Sequence, residues 1–212
     1  MAEEQTVVMT EEVPSRRRIQ PIYWIVIGIL CVITIATVIM VIALYPTANE
    51  HEVPDWIDAQ IIEINGAGRR GIPIEAVNNI AVHYVGNPGT SAQGNRNYFN
   101  QPTTTVSSHF IVGLEGEIIQ CVPLNEKSSA TNERNRDTIS IEVCHPDTTG
   151  KFNDATYAAL VRLCAWLCEE YELEATDLIR HYDVTGKLCP LYYVENPAAW
   201  EQLIRDVASF EE

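Results

Sequence analysis

"RHYDVTGKLCP", residues 180–190, sets His181, Asp183, Lys187 and Cys189 around Gly186 and ends on Pro190. The preceding residues Leu178 and Ile179 are apolar, so the segment reads as a short strand running into a loop. A glycine-containing loop between His181 and Cys189 is long enough for both side chains to turn to one point. Hydrolytic zinc sites take three protein ligands from His, Cys and carboxylate and leave a fourth position for water. His83, at the end of "NNIAVHYVG" (78–86), closes such a triad if its strand neighbours the one leading to His181. A metal would also hold a thiol in a polar loop as thiolate. The competing reading is that a histidine at a strand end is a hydrogen-bonded structural residue. His51, His109 and His145 take that reading, and for His83, His181 and Cys189 spacing alone leaves both open.

Outward from this stretch, strand and helix patterns alternate. "NNIAVHYVG" is a buried strand, "TSAQGNRNYFNQ" (90–101) a weak helix, and "SSHFIVGLEGEIIQCVP" (107–123) two strands around a Glu115-Gly116 turn. "DTISIEVCHP" (137–146) is a further strand, β-branched and apolar except at Glu142. "NDATYAALVRLCAWLCEEYEL" (153–173) is a helix capped by Asn153 or Asp154, with Leu160, Leu163, Cys164, Leu167, Cys168 and Tyr171 on the 3.6-residue period. A terminal helix opens with Asn196 as cap and Pro197 at its first position, and buries Trp200, Leu203, Ile204 and Val207. These elements predict one α/β domain, a central mixed β-sheet flanked by helices, over residues 71–212.

Ahead of that domain, "IYWIVIGILCVITIATVIMVIAL" (22–44) carries no charge. At about 1.5 Å per residue a helix of this length crosses a hydrocarbon core of roughly 30 Å. The run exceeds the ~7–15 apolar residues of a secretory signal, and "LYPTANE" after it matches an A-x-A cleavage site poorly. The expected organisation is a cytoplasmic tail (1–20), a transmembrane helix (21–45) contacting the bilayer through residues 22–44, and a juxtamembrane linker (46–70). Arg16, Arg17 and Arg18 before the span orient it with the N-terminus in the cytoplasm and the domain outside the cell membrane.

The formal net charge is −15, and residues from 46 onward hold 11 Lys and Arg against 25 Asp and Glu. Such a domain repels phosphate backbones, which excludes nucleic acid as a partner. Of six cysteines, Cys31 lies in the span and Cys164 and Cys168 share one helix face as small buried groups. Cys121 and Cys144 fall at strand ends and could pair, which leaves Cys189 without a structural reason.

Taken with "AVHYVGNPG", "SSHFIVGLEGEIIQCVP" and "TISIEVCH", the 180–190 string resembles the zinc-dependent N-acetylmuramoyl-L-alanine amidases. The likeness is to the autolysin and prophage endolysin type of Gram-positive bacteria, related to the peptidoglycan-recognition-protein fold, and runs from about residue 76 to 205 in the family's order. It implies His83 and His181 as the zinc histidines, Cys189 as third ligand, Glu142 within "TISIE" as catalytic acid/base, and Lys187 as a second catalytic group. A lone carboxylate on an apolar strand suits proton transfer from water to the leaving amine, and a lysine suits a tetrahedral oxyanion. Asp183 is expected to shape the loop or support a ligand. Two departures stand out. The slot that holds a catalytic Tyr in some phage amidases is Ser108, and the Trp-His pair of many relatives is replaced by "NEKSSATNERNRD" (125–137). Asn87 and Tyr98 are candidate substrate-groove residues by position.

The resemblance implies hydrolysis of the bond between N-acetylmuramic acid and L-alanine, with peptidoglycan as partner and Zn2+ as cofactor. The alternatives are a silent wall-binding sensor of the same fold or a zinc peptidase acting on the stem peptide. Fold alone does not separate them.

Overall fold

A computed structural model describes residues 21–44 and 53–211. Two compact units divide the chain, residues 1–48 and 49–212. Within the described residues, the first unit is one helix, α1 (Pro21–Leu44), without a charged residue. Its stretch Ile22–Met40 has mean hydropathy 2.7 and is long and apolar enough to cross a bilayer by length and composition. His51 lies outside the described residues.

The second unit is built on a six-stranded mixed sheet. Its strands are β1 (Asp58–Ala59), β2 (Asn79–Tyr84), β3 (Phe110–Val112), β4 (Ile118–Gln120), β5 (Thr138–Val143) and β6 (Leu178–Arg180), in spatial order β1-β4-β3-β5-β2-β6. Only β3 and β4 pair antiparallel, across the expected hairpin turn, where Gly116 takes φ 83. The other neighbours run parallel. β5 therefore lies at the centre, and β2 is interior too, between β5 and the edge strand β6.

Strand alternation sorts the side chains onto two faces. Ile80 and Val82 of β2, Ile139, Ile141 and Val143 of β5, and Phe110 and Val112 of β3 form the main core. Two helices cover it: α3 (Asp154–Glu170) through Leu160, Leu163, Cys164 and Leu167, and α6 (Pro197–Ala208) through Trp200, Leu203 and Val207. Asn153 caps α3 by accepting the Thr156 N–H at 2.9 Å. On the opposite face, α2 (Ala92–Phe99) packs Ala92 and Phe99 against Ile111, Ile119, Cys121 and Cys144. Cys121 and Cys144 are both buried free thiols here, so the pairing left open by sequence is not formed.

Two expectations need correction. The segment assigned to a linker up to residue 70 is part of the domain from Val53 onward. β1 extends the sheet beside β4, Gln60 and Ile62 donate to the carbonyls of Gln120 and Cys121 at 2.9 Å each, and Ile57 and Ile62 are buried. These groups satisfy an edge that β4 would otherwise expose. Arg69 pins the segment further, 2.7 Å from Glu126. The second correction concerns residues 181–190, which are not loop throughout: α4 (His181–Thr185) follows β6 directly, and α5 (Leu191–Glu195) follows Pro190. Asp183 makes the sharp entry to α4 by accepting the Arg180 N–H at 2.8 Å and its guanidinium at 2.7 Å. Its role is to shape the chain here.

Candidate metal centre and groove

The same alternation that fills the core aims polar side chains at the other face. In β2, Ile80 and Val82 face the core, so His83 faces away; in register beside it on β5 stands Glu142. Glu142 is thus on a central strand, flanked by His83 and by Ile111 of β3, not on an edge open to solvent. β6 pairs with β2 through Val82 and Arg180, and the next residue, His181, opens α4 beside His83. Gly186, at φ 75, ends α4 in the left-handed conformation that favours glycine and turns the chain back. The Tyr182 N–H then donates to the Cys189 carbonyl at 3.0 Å, which closes the loop and brings Cys189 alongside His181.

His83, His181 and Cys189 are all buried, and one donor atom from each lies within 4.8 Å of the others. Cys189 Sγ is 3.8 Å from His83 Nδ1, and the two imidazole centroids are 4.7 Å apart. A tetrahedral zinc, with bonds of about 2.0–2.3 Å, separates such ligand atoms by roughly 3.3–3.6 Å, so the three need only small movements. His181 Nδ1 is buried with no hydrogen-bond partner. Burial lowers His83 to about 3, with repulsion from a protonated His181 and from the Lys187 charge adding to the effect. Burial likewise lowers His181. Both are neutral imidazoles with a lone pair to give. Burial and the Glu142 charge push the Cys189 thiol up to about 12, so it needs a cation beside it to ionise. Two neutral imidazoles and a thiol form a donor set that suits zinc.

A groove of about 710 Å³ opens over this cluster, lined in part by Arg70, His83, Tyr98, Asn132, Glu142 and Lys187. Glu142 is half-buried against it, and its Oε2 is enclosed without a hydrogen-bond partner. Desolvation raises that carboxyl to about 8, opposed by Lys187. Lys187 is exposed on the groove wall, and its charge is felt at His83, His181, Glu142 and Cys189.

Of the groove residues expected by position, Tyr98 lines the wall, whereas Asn87 does not; the wall stops at Gly86. Ser108 is buried and donates to the Phe110 carbonyl at 2.7 Å, turned to the backbone. His109 is structural, as expected. Its Nδ1 accepts the Ser140 N–H at 2.9 Å, its Nε2 meets the Glu126 carbonyl at 2.9 Å, and burial lowers it to about 4. Sequence reasoning missed Arg70, Thr131 and Asn132. The first lay in a supposed linker, and the other two carry no periodic signal.

A family profile of N-acetylmuramoyl-L-alanine amidases matches residues 73–191, more than half of the chain. The chain belongs to that family. It is 30% identical over 152 residues to the N-acetylmuramoyl-L-alanine amidase CwlL of Bacillus licheniformis, spanning 64% of this chain and 42% of that protein. The likeness to BlyA of Bacillus subtilis is 30% over 156 residues, with the same two coverages. The chain thus spans less than half the length of these curated relatives. Among solved structures, the catalytic domain of XlyA superposes with a TM-score of 0.62 at 27% identity, covering 71% of this chain and 98% of that one.

Proposed function

We propose that the chain is a membrane-anchored, zinc-dependent peptidoglycan hydrolase that cleaves the amide between N-acetylmuramic acid and L-alanine. The observation that carries this reading is the convergence of His83, His181 and Cys189 beside the enclosed carboxyl of Glu142 at the floor of a groove. Family membership supports the choice of bond.

His83, His181 and Cys189 would hold the metal. Zinc, when bound, supplies Lewis acidity toward the scissile carbonyl and toward water. Glu142 takes the proton from the attacking water and returns it to the leaving amine; its lack of a fixed partner leaves the carboxyl free to do both. The Lys187 ammonium faces the negative charge that develops on the carbonyl oxygen. The sheet and α4 hold His83, Glu142 and His181 before substrate arrives, so these three need little reorganisation.

The anchor reading rests on α1, whose described side chains are exposed along a 24-residue apolar helix. Arg16–Arg18 before it support an orientation with the N-terminus in the cytoplasm and the domain on the wall side of the cell membrane. A tether would confine hydrolysis to peptidoglycan near the membrane.

The test is release of soluble fragments from purified cell wall by the full chain in detergent. Release that stops with chelator and returns with added zinc supports the reading. Release unaffected by chelator overturns the metal assignment, and wall binding without release overturns the enzyme in favour of a silent sensor.

A further inference from the structure

We infer that Thr131 and Asn132 are positioning residues for the two ligand histidines: Asn132 sets the tautomer of His181 and Thr131 anchors the His83 ring, so that both Nδ1 lone pairs face Cys189 Sγ. The inference rests on the zinc reading above for its purpose, though not for its geometry. His181 Nε2 lies 2.8 Å from Asn132 Oδ1, and His83 Nε2 lies 3.1 Å from Thr131 Oγ1. An amide oxygen only accepts, so His181 donates through Nε2–H and its Nδ1 carries the lone pair. That Nδ1 is the buried ring atom without a partner. For His83 the same division follows once Nδ1, 3.8 Å from the thiol, serves as donor atom: Nε2–H then points to the Thr131 hydroxyl. Ligating histidines almost always have the second ring nitrogen tied in this way, which fixes ring orientation and raises ligand basicity.

Both acceptors come from adjacent residues, and the fold holds that pair firmly. Thr131 is fully buried, and Asn132 opens the 3-10 turn Asn132–Arg136 at φ 54, a conformation asparagine tolerates better than most residues. Asn135 Oδ1 takes the N–H groups of Ala130 and Thr131 at 3.0 and 2.6 Å. Arg134 ties the turn to Asp137 at 2.8 Å and contacts Asn79, at the head of β2. The turn is thus braced against the strand that carries His83. This is the segment that departs from the resemblance, and it supports the ligands from behind.

The test combines two readouts on the full chain in detergent. In metal-free protein, two-bond ¹H–¹⁵N correlation of histidine rings tells a protonated nitrogen from one carrying a lone pair. Nε2–H forms at both His83 and His181 are expected, and an Nδ1–H form at either ring would overturn the assignment. Zinc affinity, by competition with a fluorescent chelator, should fall about ten-fold or more in Thr131→Val and in Asn132→Gly. Asn132→Gly keeps the positive φ without strain. Thr131→Ser and Asn132→Asp, which keep an acceptor, should stay within about three-fold of wild type. Equal affinity in all four variants would overturn the role. Wild-type chain that takes up no zinc while both rings keep the Nε2–H form would sink the metal reading and leave the tautomer assignment standing.

Discussion

Glu142 shows how position sets chemistry at the scale of one residue. From sequence it is a lone acid in an apolar strand; in the sheet it stands beside His83 on a central strand, with Oε2 enclosed. Its carboxyl, raised to about 8, keeps a proton in the metal-free fold that the unfolded chain gives up near its ordinary value of 4.5. The stability this contributes is present below about pH 4.5 and lost as pH rises through about 8. In metal-free protein, Glu142→Gln should therefore raise unfolding free energy by roughly 2–4 kcal/mol near pH 9 and by little near pH 4, read by denaturant titration. In the loaded enzyme the same change should keep zinc and lower kcat by about 10²–10⁴. Arg70 is exposed on the groove wall, with no ion pair among the described residues. Arg70→Ala should raise KM for wall substrate severalfold at unchanged kcat, because stem peptides carry carboxylates that a guanidinium can pair.

Among the elements, α4 decides whether His181 and Cys189 meet. The sequence spacing made a joint site for His181 and Cys189 legible, but not the helix between them. Five residues are too few for a periodic signal, and Asp183 starts the turn through bonds to Arg180 that no pattern displays. What is visible is Gly186, whose φ of 75 returns the chain toward Cys189. Gly186→Ala meets open space yet strains the backbone, so it should cost about 1 kcal/mol and weaken zinc binding. A melting curve with a chelator competition on the same protein checks both. Strands β2 and β5 were legible because apolar, β-rich runs and a buried position inside the sheet coincide. β1 was not: two residues cannot alternate, and the burial of Ile57 and Ile62 depends on a hairpin more than fifty residues away. Likewise the Thr131–Asn132 pair gains meaning only when its turn is folded behind His83 and His181.

For the molecule as a whole, the parts serve one arrangement. A sheet with one face given to the core leaves the other free to carry His83 and Glu142, and an apolar helix precedes the domain. If α1 is an anchor, the full chain should remain in the membrane pellet through alkaline carbonate extraction, and its N-terminal residues should persist in intact-mass spectra. Release into the supernatant as a shortened chain would make α1 a cleaved signal. All six cysteines are free thiols, so reductant should leave the melting temperature of the chelated protein unchanged. Which bond is cut is read by mass spectrometry of purified peptidoglycan digested by the full chain. New L-alanine amino termini with intact glycan strands are expected, abolished by chelator and in Glu142→Gln. New amines within the stem peptide, or new reducing sugar ends, would contradict the proposed cleavage.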